Sequence, residues 1–166
     1  PDQTLEILML NLDPSTMKSN FFGQQQVTKE LKLNQIINNT VQHDEHIFQP
    51  CGYSSNSLIS KADNNNNNDY KNNSPGLYTT IHVTPEDLFS YASFETNAGL
   101  DSENKTTKII DKVLDIFRPT EYILTIVATK NSKCYPFVRQ MIENDDDVQF
   151  CSLGDYGVMY KHFVKE

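Results

Sequence analysis

The first strand-length segment of the chain places the strongest constraint on how it can fold. Residues 4–12 are Thr-Leu-Glu-Ile-Leu-Met-Leu-Asn-Leu and end at Asp13-Pro14, so apolar side chains occupy both alternating sets of positions. A half-exposed strand would alternate apolar with polar residues, whereas a strand covered on both faces has no such alternation. The segment therefore predicts a β-strand that is packed on both of its faces.

The rest of the pattern predicts an antiparallel sheet with few helices. Strand-like segments lie at 47–59, 77–83, 89–95, 122–128, 148–153 and 158–164. Helices are predicted at 13–22, 102–118 and 136–143. Residues 23–45 are polar and show no clear period. Because runs of strands with few helices are typical of α+β proteins, we expect an α+β fold.

An asparagine-rich run separates two of these strands. Residues 60–76 include five consecutive asparagines and few apolar side chains. Such a run cannot bury enough apolar surface to offset the entropy lost on ordering. We therefore expect a disordered loop at 60–76, without a catalytic role.

Composition limits the class of partner. The 166 residues include 22 acidic and 14 basic side chains, and the net charge of −8 argues against a nucleic-acid or membrane-surface partner. No apolar run approaches the roughly 20 residues that span a bilayer. Three widely separated cysteines fit a reducing compartment. We expect a cytoplasmic protein, and the start at Pro1 predicts that an upstream part of the gene product is absent.

Acidic and hydroxyl side chains stand at the head of the first strand. Period-two spacing places Asp2, Thr4 and Glu6 on one face. If that face is buried, the carboxylates need a cation, because an unpaired buried charge is costly. A small dication or an internal lysine could fill that role. The alternative is a frayed, solvated start of the strand.

Two other segments carry side chains with nucleophilic or acid–base chemistry. The turn Pro50-Cys-Gly-Tyr-Ser54 could expose a nucleophile, but it lacks the second glycine of a G-x-S-x-G elbow and could be purely structural. His82 and Glu86 flank a strand end, although a histidine within a strand can equally be a core residue.

The segment His43-Asp-Glu-His46 has the spacing of metal ligands on one helical turn. The surrounding residues are polar and unpatterned, so we expect no metal site.

Four motifs, in this order, resemble eukaryotic S-adenosylmethionine decarboxylase. They are Pro1-Asp-Gln-Thr-Leu-Glu-Ile-Leu-Met9, Phe48-x-Pro-Cys-Gly-Tyr-Ser54, Thr80-Ile-His-Val-Thr-Pro-Glu86 and Phe89-Ser-Tyr-Ala-Ser-Phe-Glu-Thr-Asn97. The resemblance implies that residues 1–166 are the C-terminal portion of a single decarboxylase domain. It also implies part of a four-layer αββα sandwich with two antiparallel sheets.

The resemblance implies pyruvoyl chemistry. Members of the family are proenzymes that cut themselves at a Glu-Ser bond, and the new N-terminal serine, upstream of this chain, becomes the pyruvoyl group. Its ketone forms a Schiff base with S-adenosylmethionine and accepts the electrons released as carbon dioxide leaves. The product donates aminopropyl groups for spermidine and spermine. The remaining N-terminal portion of the proenzyme is an implied partner, and a homodimer is a further option.

The resemblance also implies roles for individual residues. Ser54 and His82 match the pair that processes the proenzyme: His82 removes the α-proton of the ester, and Ser54 holds the oxyoxazolidine intermediate. Phe48 matches an aromatic residue that stacks on adenine, and Glu86 matches the carboxylate that accepts both ribose hydroxyls. Cys51 matches no catalytic position.

A second ligand, putrescine, is implied at the head of the first strand. The residues that match its site are Asp2, Thr4, Glu6, Glu95 and Tyr156. Animal members carry an aromatic residue where this chain has Val127, and plant members keep the acids without needing the ligand. An alternative within the same family is a catalytically inactive paralogue that regulates an active subunit.

Overall fold

The computed structural model describes residues 2–20, 27, 33–37, 40–60 and 76–165. The predicted asparagine-rich loop lies, apart from its two end residues, outside the described residues.

Eight strands and three helices make up the described chain. The strands are β1 (Gln3–Leu10), β2 (Thr40–Ile47), β3 (Tyr53–Ile59), β4 (Leu77–Thr84), β5 (Tyr91–Thr96), β6 (Glu121–Thr129), β7 (Gln149–Leu153) and β8 (Tyr156–Val164). The helices are α1 (Pro14–Asn20), α2 (Glu103–Phe117) and α3 (Tyr135–Asn144), and a 3-10 turn spans Leu33–Gln35.

All eight strands belong to one antiparallel sheet. Its order is β2-β3-β4-β5-β1-β6-β8-β7, so the first strand of the chain lies between β5 and β6 near the middle. The predicted α+β class and the antiparallel pairing are confirmed. The described residues form one sheet with helices on one face, which is two layers; the second sheet and the other helix layer of the sandwich remain expectations.

The described helices pack against one face of this sheet. Leu5, Ile7 and Met9 of β1 are fully buried, and they belong to the same apolar cluster as Val113 and Phe117 of α2. Burying each such side chain contributes about 1.5–3 kcal/mol. We call this side the helix face and the opposite side the open face.

Helix α2 shows how the local sequence sets these boundaries. Ser102 is its N-cap and accepts a 3.4 Å hydrogen bond from the amide of Lys105 through its side chain. Its buried positions recur at helical spacing, which turns one stripe toward the sheet. At the other end Arg118 adopts a left-handed conformation, and Pro119 follows it. The sequence predicted this helix to within a residue at each end.

Two features of the structure were not expected from the sequence pattern. The polar segment 23–45 gave no prediction, yet Thr40–Ile47 forms the edge strand β2, because edge strands need little apolar character. Strand β1 was predicted to be covered on both faces. Within the described chain its Leu8 and Leu10 are only half-buried, since every described helix lies on the other side.

Three glycines allow backbone strain to be separated from crowding. Gly99 has a φ of +73°, and a Cβ there would lie 2.8 Å from Cδ1 of buried Ile109. Gly154 has a φ of +60° with no atom within 4 Å, and Gly76 has neither a positive φ nor a neighbour within 4 Å.

We therefore expect alanine substitution in the full-length protein to lower the free energy of unfolding most at Gly99, less at Gly154 and least at Gly76. Gly76→Ala should change the free energy of unfolding by less than about 0.5 kcal/mol. Gly154→Ala should cost about 1–2 kcal/mol through strain alone, and Gly99→Ala about 1 kcal/mol more because Ile109 must also move. Urea denaturation measures all three, and equal values for Gly99→Ala and Gly154→Ala would contradict the crowding at Ile109.

Candidate functional site

The open face collects nearly every residue that the sequence marked for chemistry. One cross-strand row runs through Asp44, Asn56, Thr80, Glu95, Glu6, Thr125 and Tyr160. The next row runs through His46, Ser54, His82, Ser93, Leu8, Ile123 and His162. Because directly paired residues project to the same side of a sheet, these rows share one surface.

This face is acidic and has no strong cation among its strand residues. None of the described strand positions that share the open face is lysine or arginine. Lys161, which pairs with buried Leu124, belongs to the helix face and is bound to Asp145 there. The carboxylates of the open face therefore lack a basic side chain from the described strands.

Ser54 and His82 meet on this surface. They are directly opposite each other on β3 and β4, and Ser54 Oγ lies 2.9 Å from His82 Nδ1. Ser54 is half-buried, while the imidazole is exposed. The structure therefore brings together two residues that are 28 positions apart in the chain and that were predicted to act as a pair.

Glu6 and Glu95 face each other across β1 and β5. Like charges directly opposite on a sheet repel. Burial, and in second place the carboxylate of Glu95, raise the pKa of Glu6. No described residue donates a hydrogen bond to Glu6 or forms an ion pair with it.

Asp2 and Tyr156 form the outer part of the same acidic group. The Tyr156 hydroxyl donates a 3.1 Å hydrogen bond to Asp2 Oδ2. Backbone contacts between Asp2 and Thr129, including a 2.9 Å bond from the Thr129 amide to the Asp2 carbonyl, extend the β1–β6 ladder to this position. The hydrogen bond to Asp2, followed by its charge, raises the pKa of Tyr156. Asp2 is therefore held in place rather than frayed.

Tyr78 is a member of this group that sequence reasoning missed. Its hydroxyl donates a hydrogen bond to Glu95 Oε1 and accepts one from the Thr4 side chain. Burial, then the hydrogen bond to Glu95, raises the pKa of Tyr78 to about 12. The available signal was period-two spacing, which places Tyr78, Thr80 and His82 on one face of β4.

Phe48 and Glu86 lie at the loops beside the Ser54–His82 pair. Phe48 closes the turn before β3, with its amide 2.9 Å from the Gly52 carbonyl, and its ring is 47% exposed. It contacts the imidazole of His46 edge to face, with ring centroids 4.6 Å apart. Glu86 follows β4 and is exposed, and no described residue pairs with its carboxylate.

The metal-like segment is a strand and not a helical turn. His43 pairs with Ser57 on the helix face, where its Nδ1 lies 2.8 Å from Ser57 Oγ, whereas His46 pairs with Ser54 on the open face. The two imidazoles therefore project to opposite sides and cannot bind one ion. Among the described residues no group of three metal-ligating side chains is close enough to hold a metal. Within the same residues, no helix has the length and apolar character needed to cross a bilayer.

Comparison with known proteins gives a consistent result. Residues 1–164 match the family model of adenosylmethionine decarboxylase. The chain is 35% identical to the S-adenosylmethionine decarboxylase proenzyme of Drosophila melanogaster, over 98% of this chain and 45% of that relative. It is 37% identical to the proenzyme of that name from Xenopus laevis, over 99% of this chain and 46% of that relative. It thus spans about half the length of these curated relatives.

A solved structure shares the fold. The crystal structure of the Trypanosoma brucei AdoMetDC-delta26 monomer superposes with a TM-score of 0.71 at 20% identity. The match covers 99% of this chain and 66% of that one.

The unpaired acid at Glu6 leads to a stability prediction. A carboxyl group whose pKa is raised by folding leaves stability intact below its unfolded pKa and reduces it as the pH rises through the folded pKa. Glu6→Gln should therefore stabilise the ligand-free full-length protein by about 0.2–1 kcal/mol at pH 7, and the gain should disappear near pH 4.

Urea denaturation at the two pH values measures this difference. Glu121→Gln is the matched control, because Glu121 accepts a 2.8 Å hydrogen bond from His162 on the same face and its removal should give no gain. A gain from Glu6→Gln that is equal at both pH values would exclude charge as its cause.

Proposed function

The chain belongs to the adenosylmethionine decarboxylase family, and from that premise we propose that it is the C-terminal portion of a proenzyme that cleaves itself and then decarboxylates S-adenosylmethionine. The product would serve as an aminopropyl donor for spermidine and spermine. The observation that carries this proposal is the hydrogen-bonded pair of Ser54 and His82 on the open face.

The pair has the chemistry that self-cleavage needs. If His82 carries its proton on Nδ1, that N–H can donate a hydrogen bond to Ser54 Oγ. The serine hydroxyl is then free to donate its own hydrogen bond to a developing oxyanion. Nε2 of the same imidazole is then unprotonated and can take the α-proton of the ester. One tautomer therefore sets up both roles at once.

The residues of the open face fit a pyruvoyl group that is made from an upstream serine. The fit rests on the donor set: a hydroxyl and an imidazole, bonded to each other and accessible to another segment of the protein. Such a group supplies a ketone that accepts electrons as carbon dioxide leaves. The half-buried Leu8 and Leu10 lie on the same face, and we propose that the N-terminal portion of the proenzyme covers them.

Phe48 and Glu86 are the proposed substrate contacts. Phe48 presents an exposed ring that could stack on adenine. Glu86 presents an exposed carboxylate that can accept hydrogen bonds from two ribose hydroxyls. Both lie at loops at one end of β3 and β4, near the Ser54–His82 pair.

The acidic group of Asp2, Glu6 and Glu95 is the proposed putrescine site. A diamine would supply the two positive charges that the described strand residues of this face lack. Val127, which is paired with Thr4, offers apolar contact for its methylene chain. The ligand would act at a distance from the processing pair, since Glu6 and His82 lie in neighbouring rows two strands apart.

The alternative of an inactive regulatory paralogue has no supporting observation of its own. Ser54, His82 and Glu86 are all present, and the first two are in contact. A copy that had lost catalysis would have no need of this pair.

Processing by His82 has a direct test. His82→Ala in the full-length protein should leave an uncleaved single chain on a denaturing gel, because the base for β-elimination is gone. His162→Ala, which removes another exposed histidine of the open face, should be cleaved into two chains like the wild type. Normal cleavage of His82→Ala would remove that residue from the mechanism.

The diamine site is tested by its charges. Glu6→Gln combined with Glu95→Gln should abolish stimulation of decarboxylation by putrescine, because no carboxylate remains in the centre of the site. Glu121→Gln should retain the stimulation. If the wild-type enzyme is itself insensitive to putrescine, the acids are a structural charge network and this part of the proposal is wrong.

A further inference from the structure

Both backbone polar groups of Tyr78, the amide and the carbonyl, form hydrogen bonds with side chains at the end of β5. Its amide donates a 2.8 Å hydrogen bond to Asn97 Oδ1, and its carbonyl accepts a 2.6 Å bond from Thr96 Oγ1. Asn97 is itself held by a 3.1 Å bond from its side-chain amide to the Gly76 carbonyl. These contacts tie β4 to the end of β5, the strand that carries Glu95, so the position of the phenol ring is defined relative to that acid.

The Tyr78 hydroxyl donates a hydrogen bond to one acid of the facing pair Glu6 and Glu95 and not to the other. It donates to Glu95, and with Thr4 it forms a short chain of hydroxyl groups beside the carboxylate. Glu6, directly opposite Glu95, has no donor among the described residues. A hydrogen bond to the ionised form of a carboxyl group favours that form. The two acids of one cross-strand pair are therefore in chemically different environments.

The other titratable groups around Glu6 do not offset this difference. Asp2 on β1 is an acid, and it is bound by Tyr156 of β8. From β4, His82 faces Ser54. Beyond β6, whose neighbouring positions Ile123, Thr125 and Val127 do not titrate, β8 presents Tyr160 and also His162, which is bound to Glu121.

We propose that Tyr78 is a positioning residue of the acidic site: its hydroxyl holds the Glu95 carboxylate in place, and it leaves Glu6 as the acid without a donor, which a bound cation satisfies. The inference rests on the proposed diamine function of this site. At a pH where Glu6 is protonated, binding of an ammonium group releases that proton to solvent, and affinity therefore falls as the pH drops through the titration of Glu6. The raised pKa of Glu6 agrees with this assignment.

The test compares Tyr78→Phe with the matched control Tyr160→Phe in the processed full-length enzyme. Tyr160 is on the same face, in the row of Glu6, but two strands away from it. NMR titration with labelled glutamate carboxyl carbons, assigned with Glu6→Gln and Glu95→Gln, reports the midpoints of the pair without any ligand. Tyr78→Phe should raise the midpoint of the carboxyl that loses the Tyr78 hydrogen bond by about half to one pH unit, and Tyr160→Phe should not change it.

Calorimetric titration with putrescine supplies the second measurement. At a pH below the midpoint of Glu6, Tyr78→Phe should bind putrescine up to about tenfold more weakly than wild type. Above that midpoint the difference should be smaller. In the wild type, proton release should approach one per putrescine below the midpoint of Glu6 and decline above it. Unchanged carboxyl midpoints in Tyr78→Phe, or equal shifts in both variants, would overturn the assignment.

Two further outcomes separate the inference from its premise. A wild-type enzyme that binds no putrescine would refute the diamine site, while the carboxyl midpoints would still decide the role of Tyr78. Ultraviolet titration of Glu95→Gln provides a check that does not depend on how well Tyr78→Phe folds. Removing the charge of Glu95 should lower the pKa of Tyr78 from about 12. An unchanged pKa of Tyr78 would contradict its hydrogen bond to Glu95.

Discussion

Strand β1 is held by two antiparallel ladders, to β5 on one side and to β6 on the other, and the rest of the structure depends on their register. A slip by one residue would move Leu5, Ile7 and Met9 from the helix face to the open face. Since these side chains are fully buried against the helices, that slip would expose much of the core. The same register places Glu6 against Glu95, so the packing of one face determines the electrostatics of the other.

The open face differs from an ordinary solvated sheet surface. It combines facing carboxylates, two tyrosines whose hydroxyls donate hydrogen bonds to carboxylates, and a serine–histidine pair. Its described strand positions include neither lysine nor arginine. Tyr78 donates a hydrogen bond to Glu95 and Tyr156 donates one to Asp2, whereas Glu6 has no donor among the described residues, and burial followed by the charge of Glu95 raises its pKa. The proposed diamine would lie beside a second row of side chains that includes Ser54 and His82.

Much of this arrangement follows from local sequence patterns. Period-two spacing assigned Asp2, Thr4 and Glu6 to one face, and the periodicity of α2 predicted its position to within a residue at each end. The motifs around Ser54 and His82 indicated a processing pair, and the two side chains are in contact. The edge strand β2 was missed, because an edge position does not require the apolar pattern by which buried strands are recognised.

The sequence alone therefore determined the α+β class, most of the elements and the kinds of chemistry the chain carries, because each follows from local periodicity or from a contiguous motif. Only the tertiary structure decided that Glu6 faces Glu95, that Tyr78 reaches the latter, and that His43 and His46 project to opposite sides of β2. Spacing within a strand shows which side chains share a face. Which residues of two distant strands lie opposite each other depends on how the whole sheet packs against its helices.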